Sequence, residues 1–410
     1  MNMINVRRLA VMTFLGAGML SDISAQDFSL QADTLNEARL PAQWDLQSCI
    51  DYALEQNITI RKNRVTAEST QIDVKTAKAA LFPSLSFSTS QQVVNRPYQE
   101  TSSRVSGSEI ISSNSKTSYN GNYGLNASWT IYNGSKRLKT LKQERLNNQV
   151  AELDVATSEN TIKESIAQIY IQILYAAESV RVNENTLQVS IAQRDRGQEL
   201  LNAGSIAKSD FAQLEAQVST DRYQLVTAQA TLQDYKLQLK QLLELDGENE
   251  MNVYLPKLSD ENVLAPLPAK KDVYVSALAI RPEIEASKLN VEASELGIDI
   301  AKSSYFPTIS LSAGIGTNHT SGSDFTFGEQ VKNGWNNSIG LSVSVPIFNN
   351  RQTKSAVQKA KLQRETDMLS LLDEQKALYK TIESLWLDAN SAQQRYAAAN
   401  EKQRSTQIPF

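Results

Sequence analysis

The sequence predicts a mainly helical chain that carries four amphipathic strands and is built from two repeats of one plan. Three observations lead to this prediction: an internal repeat, very long segments without helix breakers, and short segments in which apolar and small polar residues alternate. Only 16 glycines and 10 prolines interrupt the 410 residues, so regular elements must be long and turns few.

Composition excludes several classes of protein. Hydrophobic residues make up 41% and the mean hydropathy is −0.37, which is too polar for a bundle of membrane-spanning helices. The 41 basic and 45 acidic residues leave no basic surplus for nucleic acid. A single cysteine, Cys49, and a single histidine, His319, exclude a disulfide framework and a His- or Cys-rich metal centre. We identify no catalytic residue and no cofactor-binding motif.

The amino terminus has the pattern of an export signal. Arg7 and Arg8 precede an apolar segment, 9–20, that is too short to span a bilayer as a helix. A small residue, Ala25, offers the cleavage position, so we predict a signal peptide over 1–25 followed by an N-terminal segment, 26–43. The mature chain is therefore expected outside the cytoplasm.

The repeat is the most informative feature of the chain. Residues 52–86 match 276–310 without a gap at an offset of 224, and residues 125–134 match 341–350 at an offset of 216. We therefore place a first repeat at 44–246, a linker at 247–271 and a second repeat at 272–410. Each repeat is predicted as helix, strand, loop, strand and long helix.

Two Phe-Pro pairs predict where helix gives way to strand. Phe82-Pro83 and Phe306-Pro307 end the first helix of each repeat, because a residue before proline is pushed out of the helical region. Alternation then predicts strands at about 84–95 and 119–132, with a polar loop at 101–117, and at about 308–317 and 335–348, with a helix from 351. The apolar, candidate lipid-facing positions are Tyr123, Leu125, Trp129, Ile339, Leu341 and Val343. Simple alternation would also place Ile131 on the side of Tyr123 and Trp129.

Strands with one apolar face and one face of Ser, Asn, Thr and Gly are typical of a transmembrane β-barrel, although a soluble sheet would show the same alternation. Four strands cannot close a barrel, and lipid does not tolerate an open edge. Two protomers would supply eight strands and three would supply twelve, and a channel favours three. In each repeat the chain enters and leaves the strands through helices, so all helices are expected on one side, the periplasm.

The segment 135–246 predicts an antiparallel helical hairpin. From about 135 to 203 the chain contains no proline and only Gly197 as an internal glycine, and its apolar residues follow a coiled-coil seam. A second seam follows over 211–242. Between them, Gly204 suits the left-handed turn that ends a helix, so the hairpin tip is placed near 204.

On these residues the chain resembles the TolC-like outer-membrane efflux protein family. The resemblance rests on the Ala-Lys…Phe-Pro junctions, on the turns 131–133 and 347–349, and on the tip segment 203–210. It implies a homotrimer in the outer membrane of a Gram-negative bacterium, with a 12-stranded barrel continued by a periplasmic α-helical barrel. It also implies that a periplasmic adaptor (membrane fusion) protein and an inner-membrane pump are partners, that lipid surrounds the barrel, and that the channel component performs no chemistry.

The resemblance carries over to two sites. Ala203, Gly204 and Ser205 match the adaptor-docking tip, although Gly204 also suits a simple turn. Asp210 matches an acidic residue of the network that closes the tunnel. It could instead be a helix N-cap, with Gln213 completing a capping box.

The second repeat departs from the family pattern. By the repeat offset its hairpin tip should fall near residue 420, whereas the sequence ends at Phe410. We expect either a truncated product or a tunnel with one incomplete wall per protomer, and in both cases poor periplasmic stability and impaired gating.

Three other functions compete with the channel. A hydrolytic enzyme lacks any visible nucleophile–base pair. An exported coiled-coil structural or adhesin protein would explain the long helices but not the amphipathic strands. An adaptor should have a single helical hairpin in a β-rich module. The exported substrate is not readable from the sequence.

Overall fold

The computed structural model describes residues 41, 43–98, 102–106, 109–113, 116–246, 251–256, 263–321, 323 and 325–406. The predicted signal peptide 1–25 with its cleavage after Ala25, the segment 26–40 and the terminal Phe410 lie outside this described part. Parts of the predicted linker, 247–250 and 257–262, lie outside it as well.

The two repeats share a common order of elements: two helices, a strand, a connecting segment, a second strand and a long helix. The first contains α1 Leu46–Gln56, α2 Ile58–Ala79, β1 Ser84–Asn95, β2 Ser102–Ser106, β3 Glu109–Ser113, β4 Thr117–Asn133, α3 Lys136–Asn202 and α4 Lys208–Leu242. The second contains α5 Lys270–Ile280, α6 Pro282–Ser303, β5 Thr308–Thr320, α7 Phe327–Asn333, β6 Asn336–Ser344 and α8 Gln352–Thr406. A short helix, α7, stands where the first repeat has β2 and β3.

Each repeat begins with two helices that are separated at equivalent positions. In the first repeat Asn57 caps α2, because its Oδ1 accepts from the backbone N of Thr59 at 2.9 Å. Its Nδ2 also donates to the carbonyl of Leu242 at 3.0 Å. In the second repeat Arg281 occupies the same position, and Pro282 begins α6 where a missing N–H is tolerated. Different residues therefore build the same interruption.

Both helix-to-strand transitions lie next to a Phe-Pro pair. Helix α2 ends at Ala79 and α6 at Ser303, and a strand begins directly after each following proline. One turn of the same geometry follows both helices, with hydrogen bonds from Phe82 N to Ala79 O at 3.0 Å and from Phe306 N to Ser303 O at 3.1 Å.

Four strands form one antiparallel sheet in the order β1-β4-β5-β6. The two hairpins are β1–β4 and β5–β6, and the central pair β4–β5 joins the first repeat to the second. Gly124 lies opposite Gly316 in this pair. Strands β1 and β6 form the two edges, and within the described chain no strand pairs with the outer side of either.

The alternation on β4 breaks near its end. The register shifts between Thr130 and Tyr132, which is the signature of a β-bulge. Tyr132 lies opposite Ile309, so it joins the face of Trp129. The prediction that Ile131 continues this face by simple alternation is therefore wrong, because the extra residue resets the count.

Strand β6 is shorter than the segment 335–348 expected from the sequence. It ends at Ser344, two residues before Pro346. Proline has no amide hydrogen for the ladder and is excluded from strand interiors. Residues 345–348 therefore lie beyond the sheet, although their apolar alternation continues.

The segment 101–117 was expected to be a polar loop, and this expectation is wrong. Strands β2 and β3 form a separate antiparallel ribbon with Ser102 opposite Ser113. Serine is the commonest residue here and suggested a loop. The β-branched residues Val105, Ile110 and Ile111 favour the extended backbone that the ribbon adopts.

A hydrophobic core lies where α1 packs against the hairpin formed by α3 and α4. Its buried members are Trp44, Cys49, Ala53, Ile166, Tyr170, Ile173, Leu239, Leu243, Met251 and Val253. The chain after α4 closes this core: Tyr254 N donates to the carbonyl of Trp44 at 2.8 Å, and the hydroxyl of Tyr170 donates to the carbonyl of Tyr254 at 2.6 Å. The core fixes the base of the hairpin.

The hairpin itself is long and narrow. Helix α3 has 67 residues, which corresponds to about 100 Å at 1.5 Å per residue. Helix α4 has 35 residues and runs back along it. Among the described helices, none contains an apolar stretch long enough to cross a lipid bilayer.

Helix α8 is held along part of its length by the chain that precedes α5. Trp386 Nε1 donates to the carbonyl of Pro268 at 3.1 Å, and Gln393 Nε2 donates to the carbonyls of Val263 and Ala265 at 3.0 and 2.8 Å. These bonds fasten an extended strap, 263–268, to the helix.

Candidate functional site

The candidate functional site is the four-stranded sheet with the helix junctions at one of its ends. Residues directly opposite each other on neighbouring strands share a face. On one face the rows are Phe87–Leu125–Ile315, Leu85–Ala127–Ala313–Ile339, Trp129–Leu311–Leu341 and Ile309–Val343. Most of these apolar side chains are exposed, so this face has no cover within the described chain.

The predicted lipid-facing residues all lie on this face. The register brings together Leu125, Trp129, Ile339, Leu341 and Val343, which are exposed. Tyr123 also belongs to the face but is half-buried. Its ring stacks on that of His319, with the centroids 6.0 Å apart.

The opposite face carries small polar residues. Its cross-strand rows include Ser84–Ser128–Ser312–Gly340 and Ser86–Asn126–Gly314–Ser338. Ser84 and Ser128 share a hydrogen bond of 2.9 Å between their hydroxyls, and Asn126 Nδ2 donates to Ser88 Oγ at 3.3 Å. The four strands contain no Asp, Glu, Lys or Arg at all. This face is therefore polar and uncharged.

Aromatic side chains mark both ends of the apolar face. At the loop end His319 contacts Tyr119, Tyr123 and Phe327 at centroid distances of 5.2, 6.0 and 5.0 Å. Gly121 makes room for this cluster, because a methyl group there would lie 2.2 Å from Cε1 of His319. The sequence did not reveal the cluster, because it depends on the packing of α7 onto β5.

At the helix end the indole Nε1 of Trp129 donates to the carbonyl of Leu81 at 2.9 Å. Trp129 follows Tyr119 by ten residues on the same strand, which is about 34 Å of extended chain. At the tilt of about 40° found in membrane barrels, that length spans about 25 Å, the height of an apolar barrel band. The aromatic rings are thus spaced as two girdles around such a band.

The strand-to-helix junctions are the same in both repeats. Gly134 and Ser135 have φ of 66° and 62°, and the equivalent Asn350 and Arg351 have φ of 50° and 64°. Two successive left-handed residues turn the chain from the sheet into the long helix. In the first repeat the turn is packed against the second repeat, since Ser303 Oγ donates to the carbonyl of Gly134 at 2.9 Å.

The predicted junction residues lie between a helix and the strand that follows it. Phe82 and Pro83 lie between α2 and β1, and Phe306 and Pro307 lie between α6 and β5. Both phenylalanine rings are more than half exposed. Phe306 packs near the left-handed turn of the first repeat, because a methyl group on Gly134 would lie 2.9 Å from its Cβ. The junctions of the two repeats therefore contact each other within one chain.

The hairpin tip is far along the sequence from the sheet. Gly204 has φ of 69°, Ser205 N donates to the carbonyl of Leu200 at 2.8 Å, and Gly204 N donates to that of Leu201 at 2.9 Å. These bonds form a Schellman motif. Nothing lies within 4 Å of a methyl group placed on Gly204, and the neighbouring Ala203 and Ser205 are exposed.

Asp210 occupies a different capping position from the one suggested. The N-cap of α4 is Ala207, and Asp210 lies three residues later, where its Oδ2 accepts from the backbone N of Ala207 at 3.3 Å. The alternative in which Asp210 is itself the N-cap and Gln213 completes the box is wrong. In the described chain no basic side chain forms an ion pair with Asp210.

One buried polar pair inside the hairpin was missed. The Ser190 hydroxyl donates to Asp221 Oδ2, and Gln217 Nε2 donates to Asp221 Oδ1 at 2.9 Å. A signal existed in the sequence: Asp221 follows Leu214 by seven residues, a position at which the seam of α4 should be apolar. In the described residues, no group of three or more His, Cys, Asp or Glu side chains could hold a metal ion.

A protein-family model matches both repeats of the chain. The model of the outer membrane efflux protein family matches residues 49–244 and 273–410, which are the first and second repeats. The chain belongs to the outer membrane efflux protein family. The interval between the two matched segments coincides with the predicted linker.

Curated members of the outer membrane efflux protein family are distant relatives. The chain is 26% identical over 252 residues to the outer membrane efflux protein BepC of Brucella suis biovar 1 (strain 1330), covering 61% of this chain and 52% of BepC. It is 24% identical over 282 residues to the outer membrane protein TolC of Escherichia coli (strain K12), covering 65% and 55%. The match thus spans about half the length of these relatives.

A solved structure of the same family supports the fold. The crystal structure of CusC superposes with a TM-score of 0.70 at 20% identity and covers 88% of this chain and 81% of CusC. At this identity the likeness concerns the fold alone. The two chains therefore share a fold.

Proposed function

We propose that this chain is the outer-membrane channel component of a tripartite efflux or type I secretion system, a passive duct from the periplasm to the exterior. The observation that carries the proposal is the charge-free sheet, whose exposed apolar face lies between two aromatic girdles. A sheet of this kind is stable in lipid, whereas water would contact the whole apolar face. Membership of the outer membrane efflux protein family supports the same conclusion.

The sheet must close by association. Its edges β1 and β6 have no further strand partner in the described chain, and unpaired backbone groups are costly in lipid. Because the sheet is antiparallel throughout, β6 of one protomer can continue onto β1 of the next with the alternation preserved. Three protomers would give a twelve-stranded barrel with the polar faces inside, which is our proposal for a homotrimer.

The internal repeat indicates how neighbouring protomers meet. Within one chain the repeats contact each other through β4–β5 and through α3–α6, where Gln143 Nε2 donates to the carbonyl of Ala293 at 2.9 Å. Applying the repeat offsets places Lys359 on α8 against Ser69 on α2 of the neighbouring protomer. We propose that the contact of α8 with α2 of the neighbouring protomer has the same geometry as the contact of α3 with α6 within one chain.

Exposure supports this interface. Several residues of the first repeat are less exposed to solvent than the residues at the equivalent positions of the second repeat. The pairs are Leu146 and Leu362 at 8% and 63% exposed, Ile131 and Ile347 at 46% and 95%, and Tyr132 and Phe348 at 37% and 83%. The surface that needs a partner is therefore on α8, on β6 and at the following junction.

The direction of the sheet places the remaining parts. All long helices leave from one end, and in bacterial barrels the longer loops face outside, so α3 and α4 would project into the periplasm. The tip residues Ala203, Gly204 and Ser205 would then be the docking site for a periplasmic adaptor coupled to an inner-membrane pump. Asp210, close to the tip, remains our candidate for the tunnel gate.

The decisive experiment combines location, assembly and conductance. The mature chain should fractionate with the outer membrane, require detergent for extraction and conduct ions in planar bilayers. A Ser69→Cys/Lys359→Cys variant should give cross-linked dimers and trimers with a short bismaleimide. In the control Ser69→Cys/Lys376→Cys the second cysteine lies 17 residues, about 25 Å, further along α8 and should not cross-link.

Two results would contradict the proposal: a monomer stable in buffer without detergent, or assembled protein that never conducts. The exported coiled-coil structural or adhesin protein predicts the second result. That alternative explains α3 and α4 but leaves a charge-free sheet with an exposed apolar face unexplained.

A further inference from the structure

The helix end of the sheet is strongly basic. Within ten residues of the helix-side end of each strand, the sequence contains nine Lys or Arg and one acidic residue, Asp299. The corresponding loops at the other end, 96–116 and 321–335, contain four basic and four acidic residues. The charge is therefore concentrated at one end, while the chain as a whole carries −4.

Four of these nine cations have partners within the chain. Lys139 and Lys302 lie 3.7 and 3.2 Å from the carboxylate of Asp299, and Lys142 lies 3.3 Å from that of Glu292. Arg137 Nη1 donates to the carbonyl of Ala80 at 2.8 Å. These side chains serve helix packing at the junction.

The other five are Lys75, Lys78, Lys136, Arg351 and Lys354, which together we call the basic collar. All five are exposed, and no acidic group of the described chain lies within salt-bridge distance of them. They come from both repeats, at the end of α2 and at the starts of α3 and α8. The positive charges of the collar are therefore accessible to an anionic partner outside the chain.

The collar borders the apolar face directly. Leu81 N donates to the carbonyl of Lys78 at 3.1 Å, and the carbonyl of Leu81 accepts from the indole of Trp129 on that face. The exposed side chains of Ile347 and Phe348 lie a few residues before Arg351. A surface that is apolar and aromatic on one side and cationic on the other matches the boundary between acyl chains and headgroups.

We propose that the basic collar binds the headgroups of anionic phospholipids in the membrane leaflet at the helix end of the sheet. The inference rests on the proposed function, because it requires the apolar face to lie in lipid. Lysine and arginine near an anionic surface are each attracted to it, and the attraction is weakened by salt. The uncharged sheet and the charge-balanced loop end offer no comparable site, so lipid binding would be confined to one leaflet.

Trp129 provides the probe for this site. The chain has four tryptophans, and in a Trp335→Phe background Trp129 is the one that lies on the apolar face of the sheet. The purified, assembled protein is reconstituted in phosphatidylcholine with brominated phosphatidylglycerol, and in parallel with brominated phosphatidylcholine. The ratio of the two quenching curves gives the preference for the anionic lipid. We expect a preference of about fivefold or more at low salt.

A variant with all five collar residues changed to Gln should lose this preference. Its matched control changes five exposed cations on the helices away from the sheet, Lys208, Arg222, Lys376, Lys380 and Lys402, to Gln and should keep it. In a second variant the four collar lysines are changed to Arg and Arg351 is changed to Lys. This variant keeps the charge of the collar and should also keep the preference for the anionic lipid. The comparison shows whether the Gln variant loses its lipid preference because the charge is gone or because the substitutions disturb folding.

Three results would overturn the inference. The first is equal quenching of the parent protein by the two brominated lipids. The second is a Gln variant that keeps the preference of the parent for the anionic lipid. The third is a Gln variant in which the ion selectivity of the channel changes while the lipid preference does not. The last result would place the collar in the lumen, where it would attract anionic cargo. Failure to float with vesicles of either lipid would instead refute the proposed function itself, and the collar inference with it.

Discussion

Ser190 on α3 donates its hydroxyl hydrogen to the carboxylate of Asp221 on α4, and both side chains are buried between the two helices. Gln217 donates to the second carboxylate oxygen at 2.9 Å. The pair interrupts an otherwise apolar seam. A single polar layer of this kind can fix the register of a coiled coil at a cost in stability.

Replacing Asp221 with Ala should destabilise the hairpin, because the buried Ser190 hydroxyl loses its acceptor. We expect a loss of about 2 kcal/mol in the local stability of α3 and α4, measured by native-state hydrogen exchange. The matched control is Asp234→Ala, which removes an exposed carboxylate that also accepts from a glutamine, Gln238, at 2.9 Å. Equal effects of the two substitutions would show that burial of Asp221 has no structural importance.

Two interior helix glycines should respond in opposite ways to alanine. A methyl group on Gly197 would lie 2.4 Å from Cδ1 of Leu214, whereas one on Gly297 meets only the side-chain amide of Gln143 at 3.5 Å. Gly297→Ala should raise stability by about 0.5–1 kcal/mol through helix propensity. Gly197→Ala should lower it by about 1 kcal/mol or more, because the Leu214 side chain must leave its packed position in the seam. Thermal midpoints that rise for both variants would disprove the close approach at Gly197.

Gly134 and Gly204 allow the cost of backbone conformation to be separated from the cost of packing. Their φ values are 66° and 69°, but a methyl group on Gly134 would lie 2.7 Å from the carbonyl oxygen of Ser303, and Gly204 is open. Gly204→Ala should cost about 1 kcal/mol for the left-handed backbone alone. Gly134→Ala should cost about 2 kcal/mol more, seen as a lower midpoint of thermal denaturation in detergent. A similar shift for both would mean that the repeats do not touch at Gly134.

Cys49 should be unreactive until the core opens. Burial, with a smaller contribution from the charge of Asp45, raises the pKa of the Cys49 thiol from 9.0 to about 12. The folded protein thus favours the neutral thiol, so this contribution to stability is complete below the unfolded value and is lost as pH rises towards the folded one. A maleimide near neutral pH should label Cys49 only after unfolding.

The control for this prediction is a cysteine at the exposed tip. Ser205→Cys in a Cys49→Ala background should react at once with the same reagent. The chain has only one natural cysteine, so the two signals do not overlap. Rapid labelling of Cys49 in the assembled protein would place it outside the core that α1 forms with the hairpin.

Local signals predicted the elements whose cause is local. Proline at 83 and 307, alternation after each, and glycine at 204 determine backbone conformation within a few residues, and the structure has helix ends, strands and a turn at these places. The repeat offsets also located the equivalent junctions. These features need no knowledge of which elements come together.

Features that depend on distant contacts were missed or wrong. The bulge on β4 near Ile131 follows from its pairing with β5, and the β2–β3 ribbon follows from pairing across a serine-rich segment. The cluster around His319 requires α7 to lie on the sheet. Asn350 and Arg351 adopt left-handed backbone although neither is glycine, so residue type alone gave no sign of that turn.

The two open edges of the sheet have a consequence before assembly. Neither β1 nor β6 contains a lysine, another charged side chain or a proline, the usual protection against unwanted strand pairing. An unassembled protomer of the proposed channel would therefore present two unpaired strand edges to any extended peptide. Under the proposed function, we expect such a protomer to aggregate unless its edges are covered or it assembles rapidly.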